Sequence, residues 1–433
     1  MDTSYRDYYV SELGPEMDGK EVRIAGWVHE VRNIGKIVFL ILRDHSGLAQ
    51  VIAKEGTASE KLMKEMNLPK ESVIAVRGKV KKNSESKYNG IEIEPSELMV
   101  LNPLSSQIPF EVTGKVPADI EVRLDNRHID LRRLETTSVF NIQSTILNSF
   151  RSTAIKAGFN EIRTPSIVEA ATEGGADLFG INYFEKTAFL AQSPQLYKQL
   201  AVVGGMDRVF MVVPVFRAEK HNTVYHLNEI TQMDMEMGFA DHNDAIAMLK
   251  KVVKNILADV SKRNADDLRR LGIELKKGKI IEITYKKAVS KLNSNGIKIE
   301  FGQDFNREHE EMLCGLLGEM VVVKEYPSSI RAFYSMPNQK DKEICNSFDM
   351  LYKGLEISSG AQRIHLPDVL IQSITARGLD PSNFDFYINA FRQGAPPHAG
   401  WSLGLERLTM KITGMSNIRE CSMFPRDRVR LKP

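Results

Sequence analysis

Cysteine is scarce in this chain of 433 residues: Cys314, Cys345 and Cys421 lie far apart. An odd count with no CxxC pair excludes a disulfide framework and paired-cysteine zinc spacing, so the three read as reduced structural residues. Long apolar runs are missing as well. The longest strongly apolar stretch, Val209 to Phe216, falls far short of the roughly 20 residues of a bilayer-spanning helix and contains Pro214. The opening MDTSYRDYYV is charged from its second residue and lacks the apolar segment of a secretory leader, so a cytoplasmic location without membrane contact is expected. No large charge excess exists either. With a net charge of +2, any nucleic-acid contact must come from local placement of Lys and Arg. Internal repeats and low-complexity tracts are absent, and 42% apolar with 26% charged residues excludes a disordered chain.

The length implies two or three folded units. Val22 to His29, Lys36 to Leu42, Leu48 to Ala53, Val73 to Val80 and Ile91 to Glu94 are β-rich runs separated by turn residues, with a helical stretch from Ser59 to Met66 after the third. Five strands in that order predict an OB-fold barrel, whose face and loops bind single-stranded nucleic acid. Residues 102 to 120 hold three prolines without sustained periodicity and read as a linker. Beyond about Asp130 the pattern turns to longer elements, with helices expected over 136–157, 241–265 and 307–318. The fold class is therefore α+β: a barrel over 1–102, a hinge over 103–130 and a second domain over 131–433.

One phosphate-loop match is false. Gly14 to Lys20 has the spacing, but Glu21 stands where a Ser or Thr must reach magnesium, and a strand follows instead of a helix. Three other segments matter more. Phe216-Arg-Ala-Glu219 is followed by a polar loop and by His226-Leu-Asn-Glu-Ile-Thr-Gln-Met-Asp234-Met-Glu236. Gly400-Trp-Ser-Leu-Gly404-Leu-Glu-Arg407 sets small residues before an arginine at the start of a helix. Thr164-Pro165 closes GFNEIR. Taken singly, a strand ion pair between Arg217 and Glu219, a helix-packing turn and a strand end explain all three.

In this order and spacing they resemble the three motifs of class II aminoacyl-tRNA synthetases: a proline-bearing first motif, an FRxE second and a GxGxxR-like third. The barrel resembles the anticodon-binding domain of the aspartyl, asparaginyl and lysyl subgroup, so the resemblance covers nearly the whole chain. The HIGH and KMSKS signatures of the other class are absent. There is no room for the large insertion typical of bacterial members, and the end, FPRDRVRLKP, resembles the archaeal and eukaryotic branch.

The resemblance implies a catalytic domain built on an antiparallel sheet flanked by helices. It also implies activation of L-aspartate with ATP and its transfer to the 3′-terminal adenosine of tRNA(Asp), with tRNA(Asn) as a further acceptor. Adenylate formation is an in-line attack on the α-phosphorus, so positioned cations matter more than a general base. Arg217 is then expected to hold the α-phosphate and the substrate carboxylate, and Arg407 the γ-phosphate. Glu219, His226, Leu227 and Gly404 complete the ATP contacts. Glu356 and Ser359 supply oxygens for Mg2+, with Asp349 as a weaker second carboxylate. Gln192-Ser-Pro-Gln195-Leu-Tyr-Lys198 is similar to the aspartyl form of its segment. By the same resemblance, Lys198 and Arg363 neutralise the substrate side chain, the arginine bidentately, Asp234 holds Lys198, and Glu173, Ser193 and Gln195 receive the amino group. Some aspartyl branches carry an aromatic residue where Ile230 stands, which leaves the upper face of the adenine pocket open. The first motif implies a homodimer.

In the barrel, Phe39 is expected to stack on an anticodon base, while Gln50 and Glu92 read base edges. His29 resembles the residue of relatives that charge both tRNAs, and Lys87 that of strict ones. Because His29 lies on a strand of secure register and Lys87 in a loop, relaxed specificity is expected. A tRNA-independent amide ligase, an asparagine enzyme and a non-catalytic RNA-binding paralogue are the alternatives.

Overall fold

The computed structural model describes residues 3–169, 178–220, 223–276 and 278–433. The chain forms two compact units, Met1–Thr137 and Ser138–Lys432. No helix among the described residues is long and apolar enough to cross a membrane.

The first unit is built on a closed barrel of strands β1 (Glu21–Asn33), β2 (Ile37–Arg43), β3 (Leu48–Lys54), β4 (Val73–Lys82) and β5 (Ile91–Asn102), in the order β1-β2-β3-β5-β4. Helix α1 (Glu60–Glu65) follows β3, capped by Ser59, whose side chain accepts from the Leu62 N–H. The expected barrel and its helix are thus present; β1 and β5 run longer than the sequence pattern predicts. Alternation puts Val22, Ile24 and Val28 of β1 inside, with Leu40, Val51, Ile74 and Ile93 from the other strands. Gly26 is required where β1 crosses β2, since a Cβ there would meet the Arg43 carbonyl oxygen. Short helices α2 (Ile120–Asp125) and α3 (Arg127–Asp130) follow, and α4 (Leu134–Lys156) runs into the second unit.

The second unit carries strands β6 (Asn160–Glu161), β7 (Ile167–Val168), β8 (Gly180–Tyr183), β9 (Lys186–Leu190), β10 (Arg208–Phe216), β11 (Glu229–Gly238), β12 (Ile280–Thr284), β13 (Met320–Lys324), β14 (Ser347–Tyr352), β15 (Leu355–Gln362) and β16 (His398–Gly404). Eight of them form one sheet, in the order β12-β13-β14-β15-β16-β11-β10-β6. The expected antiparallel pairing holds through its middle, and β12 and β6 add a parallel strand at each edge. Strands β7, β9 and β8 make a separate small sheet.

Its helices are α5 (Gln195–Ala201), α6 (His242–Arg263), α7 (Ala265–Arg270), α8 (Tyr285–Ser294), α9 (Arg307–Leu317), α10 (Pro367–Thr375), α11 (Asp385–Arg392) and α12 (Leu405–Thr413). One sheet face packs on α4 and α6: Met233, Met235 and Met237 of β11 and Trp401 and Leu403 of β16 meet Ile146, Phe150, Leu249, Val253 and Ile256. Period two then directs Gln232, Asp234, Glu236 and Ser402 to the opposite face.

Candidate active site

On that opposite face lies a cavity of about 280 Å3. Its lining includes Ser193, Gln195, Gln232 and Arg363, Glu219, Tyr225, His226, Leu227, Ile230 and Arg407, and Arg217, Arg331, Glu356, Ser359 and Gly404.

Around Arg363 sits a buried quartet of charges. Lys198 Nζ, on α5, donates to Asp234 Oδ1 at 2.5 Å and to the Trp401 carbonyl at 3.3 Å, and stands 3.6 Å from Glu236. Arg363 donates to Glu236 through Nε (2.9 Å) and Nη2 (3.1 Å). Ser402 Oγ donates to the second Asp234 oxygen at 3.1 Å. Burial works against the charge on Glu236, yet Arg363 and Lys198 outweigh it and hold the carboxyl below the usual range. Gly400 makes the packing possible, since a Cβ there would meet Glu236 Oε2. The quartet is neutral as two cations and two carboxylates, and isolated buried charges of this kind would be costly.

Asn228 Nδ2 donates to the carbonyls of Arg217 and Glu219 (2.7 and 3.2 Å), which fixes the segment that follows β10. Among the described residues the Arg217 guanidinium makes no ion pair. His226 Nε2 lies 4.0 Å from Glu219, and its Nδ1 is 2.6 Å from Thr223 Oγ1. Arg407, on α12, donates to the Glu356 carbonyl at 3.1 Å and stands 3.7 Å from its carboxylate.

Similarity to known proteins agrees with this geometry. Residues 119–428 match the family described as tRNA synthetases class II (D, K and N), and residues 22–101 match the OB-fold nucleic acid binding domain. The chain belongs to the class II tRNA synthetases. An aspartate–tRNA(Asp/Asn) ligase of Methanocaldococcus jannaschii is 48% identical over 99% of this chain and 98% of its own length. One from Methanothermobacter thermautotrophicus is 44% identical with the same coverage. Among solved structures, the asparaginyl-tRNA synthetase of Pyrococcus horikoshii complexed with asparaginyl-adenylate superposes with a TM-score of 0.93 at 31% identity, covering 98% of this chain and 99% of that one. A putative aspartyl-tRNA synthetase from Leishmania major Friedlin gives 0.92 at 30% identity, covering 100% and 95%.

Of the residues singled out in this synthetase's sequence, Ser193, Gln195, Arg217, Glu219, His226, Leu227, Glu356, Ser359, Arg363, Gly404 and Arg407 share the cavity. Lys198 and Asp234 lie behind its wall. Glu173 falls outside the described residues. Two of the expected residues are also paired within the protein. Glu236 takes the Nε–H and one N–H of Nη2, so a ligand meets Arg363 at its Nη1–Nη2 end, where three N–H groups remain. Asp349 is not a free carboxylate: Arg331 binds both its oxygens, at 2.5 and 2.8 Å, and reaches Ser359 Oγ at 3.1 Å.

Sequence reasoning missed Glu236, Arg331 and Glu310. Glu236 had a signal, two residues after Asp234 and so on the same strand face; Arg331 and Glu310 belong to no motif. Glu310 accepts from the Glu356 N–H at 3.1 Å, and burial beside the Glu356 charge pushes its carboxyl up to about 8. Gln232 Oε1 is buried at the cavity and takes no hydrogen bond among the described residues.

In the barrel unit, Gln50 donates to Glu92 at 3.1 Å, joined there by Asn83, which the sequence did not single out. Phe39 pairs with Ile52 on β3, two pairs along from Ile41–Gln50, and is half-buried. Lys87 is exposed in the β4–β5 loop. His29 sits at a register shift of β1, where Arg43 Nη1 donates to its Nδ1 at 3.0 Å. Arg43 in turn binds both oxygens of Glu71 at 2.8 Å, and Arg132 donates to the same carboxylate at 3.1 Å. Burial, and then the Arg43 charge, lower the His29 imidazole below its usual range.

Proposed function

We propose that the chain is an aspartate–tRNA ligase that joins L-aspartate to ATP as aspartyl-adenylate and passes the aspartyl group to the 3′-terminal adenosine of tRNA(Asp) and of tRNA(Asn). The observation that carries this reading is the Lys198–Asp234 pair beside Glu236 and Arg363. Arg363 at the cavity and Lys198 behind it are the cations an acidic side chain needs, and Asp234 holds Lys198 in place through Oδ1 while Ser402 takes Oδ2. The names of the relatives agree on the amino acid and on both tRNAs.

In this reading Arg217 draws charge from the α-phosphate and orients the substrate carboxylate for attack, while Arg407 holds the γ-phosphate. Glu356 and Ser359 hold Mg2+, which neutralises phosphate charge when bound. Such an ion commonly takes one or two protein oxygens and completes its shell with phosphates and water, so a pair of ligands suits it. The roles divide as an anticodon-binding domain over 1–102, a hinge over 103–130 and a catalytic domain over 131–433. Exposed Ile155 and Ile167, on either side of the first motif, support a homodimer formed there. A cytoplasmic location fits these substrates.

Pyrophosphate exchange into ATP with each amino acid tests the assignment. Aspartate should support it and asparagine should not; exchange with asparagine alone would reverse the reading.

A further inference from the structure

Beside the cavity wall, three buried side chains hand one hydrogen-bond direction from residue to residue. His398 Nδ1 lies 2.7 Å from the Pro396 carbonyl oxygen, which can only accept, so Nδ1 carries a proton. Burial pushes the His398 imidazole below its usual range despite the nearby Glu236 charge, so the ring is neutral and its Nε2 is an acceptor. Gln199 faces that nitrogen at 2.9 Å and must present its NH2. Its Oε1 then faces Gln195 and accepts from Nε2 at 2.9 Å. Gln195 lines the cavity with its remaining amide atom, Oε1, which takes no hydrogen bond among the described residues.

We propose that Gln199 is a positioning residue that turns the Gln195 carbonyl oxygen toward the ammonium group of the amino-acid substrate. This rests on the reading that the cavity takes aspartate. A glutamine amide has nearly the same shape in either orientation, and the reversed one would set an NH2 donor against an ammonium donor. Something must select between them. Here the selection starts at a backbone carbonyl, whose role cannot invert.

The test compares aspartate with succinate, which is aspartate without its ammonium group. Gln199→Met keeps the volume but removes both amide atoms. The KM for aspartate in pyrophosphate exchange should rise about tenfold, as expected for a weakened hydrogen bond to a charged group. The KM for ATP and the inhibition constant of succinate should stay within about twofold, since neither involves the ammonium. Gln199→Glu still accepts from Gln195 Nε2, keeps its orientation, and should retain an aspartate KM within about threefold; it serves also if the methionine variant fails to fold. Equal weakening of aspartate and succinate, an unchanged aspartate KM in Gln199→Met, or a tenfold loss in folded Gln199→Glu overturns the relay. If the unaltered protein shows no aspartate-dependent exchange, the reading of the cavity falls and the relay with it.

Discussion

Lys198 and Asp234 meet at 2.5 Å with both side chains about 1% exposed, and Glu236 stands 3.6 Å from the same ammonium. Lys198→Leu leaves those two carboxylates facing Arg363 alone, and breaking a buried pair by removing one partner costs about 3–5 kcal/mol. The site becomes net negative where an acidic side chain must bind. Aspartate activation should fall at least a hundredfold while the KM for ATP changes little. Undiminished use of aspartate by the folded variant would remove the specificity argument.

Arg217 and Arg407 both line the cavity, the first just past the end of β10 and the second in the first turn of α12. In the proposed reading, replacing either with alanine removes one preorganised charge from a developing phosphate centre, worth about 3 kcal/mol or more. Both variants should keep the circular dichroism and melting point of the parent and lose at least about a hundredfold in exchange rate. Near-normal exchange in either folded variant contradicts the assignment.

Glu406 accepts from the Thr231 N–H with both oxygens, yet burial pushes its carboxyl up from 4.5 to about 7. Between those two values the folded chain keeps a proton that the unfolded chain has released, so stability falls as pH rises through that window. The full effect is of order 3 kcal/mol. Glu406→Gln keeps an acceptor for Thr231 and cannot ionise. Urea midpoints at pH 5 and pH 7.5 should therefore differ less in the variant than in the parent, and equal slopes would show that Glu406 does not titrate there.

In the proposed reading His29 bears on the choice of tRNA. Codons for aspartate and asparagine differ in their first base, so the two anticodons differ only in the third, C against U. Because Arg43 occupies Nδ1, the neutral His29 ring keeps Nε2–H as its donor. Both pyrimidines offer the O2 acceptor, and a single donor does not separate them. Aspartylation of purified tRNA(Asn) should then proceed within about a hundredfold of tRNA(Asp), a gap of ~2.7 kcal/mol. A larger preference for tRNA(Asp) marks a strict enzyme and overturns this reading of His29.

Much of this molecule was legible from local pattern. Alternation along Val22–His29 and its sister runs, with Ser59 capping the helix after the third strand, was enough for the barrel, because strand period and capping act within a few residues. The motif arginines Arg217 and Arg407 were recognisable from spacing, and both face the cavity. What spacing cannot express is which charge satisfies which. Spacing gave no sign that Glu236, 127 positions from Arg363, takes two of its N–H groups, or that Arg331 binds both oxygens of Asp349, expected only as a weaker second carboxylate. The direction of the Gln195 amide depends on a carbonyl at Pro396. Sequence determined the elements and the residue types at the site; only the antiparallel register of β11, β15 and β16 decided how buried charges and amides pair, since burial makes every unpaired group costly and the partners come from distant strands.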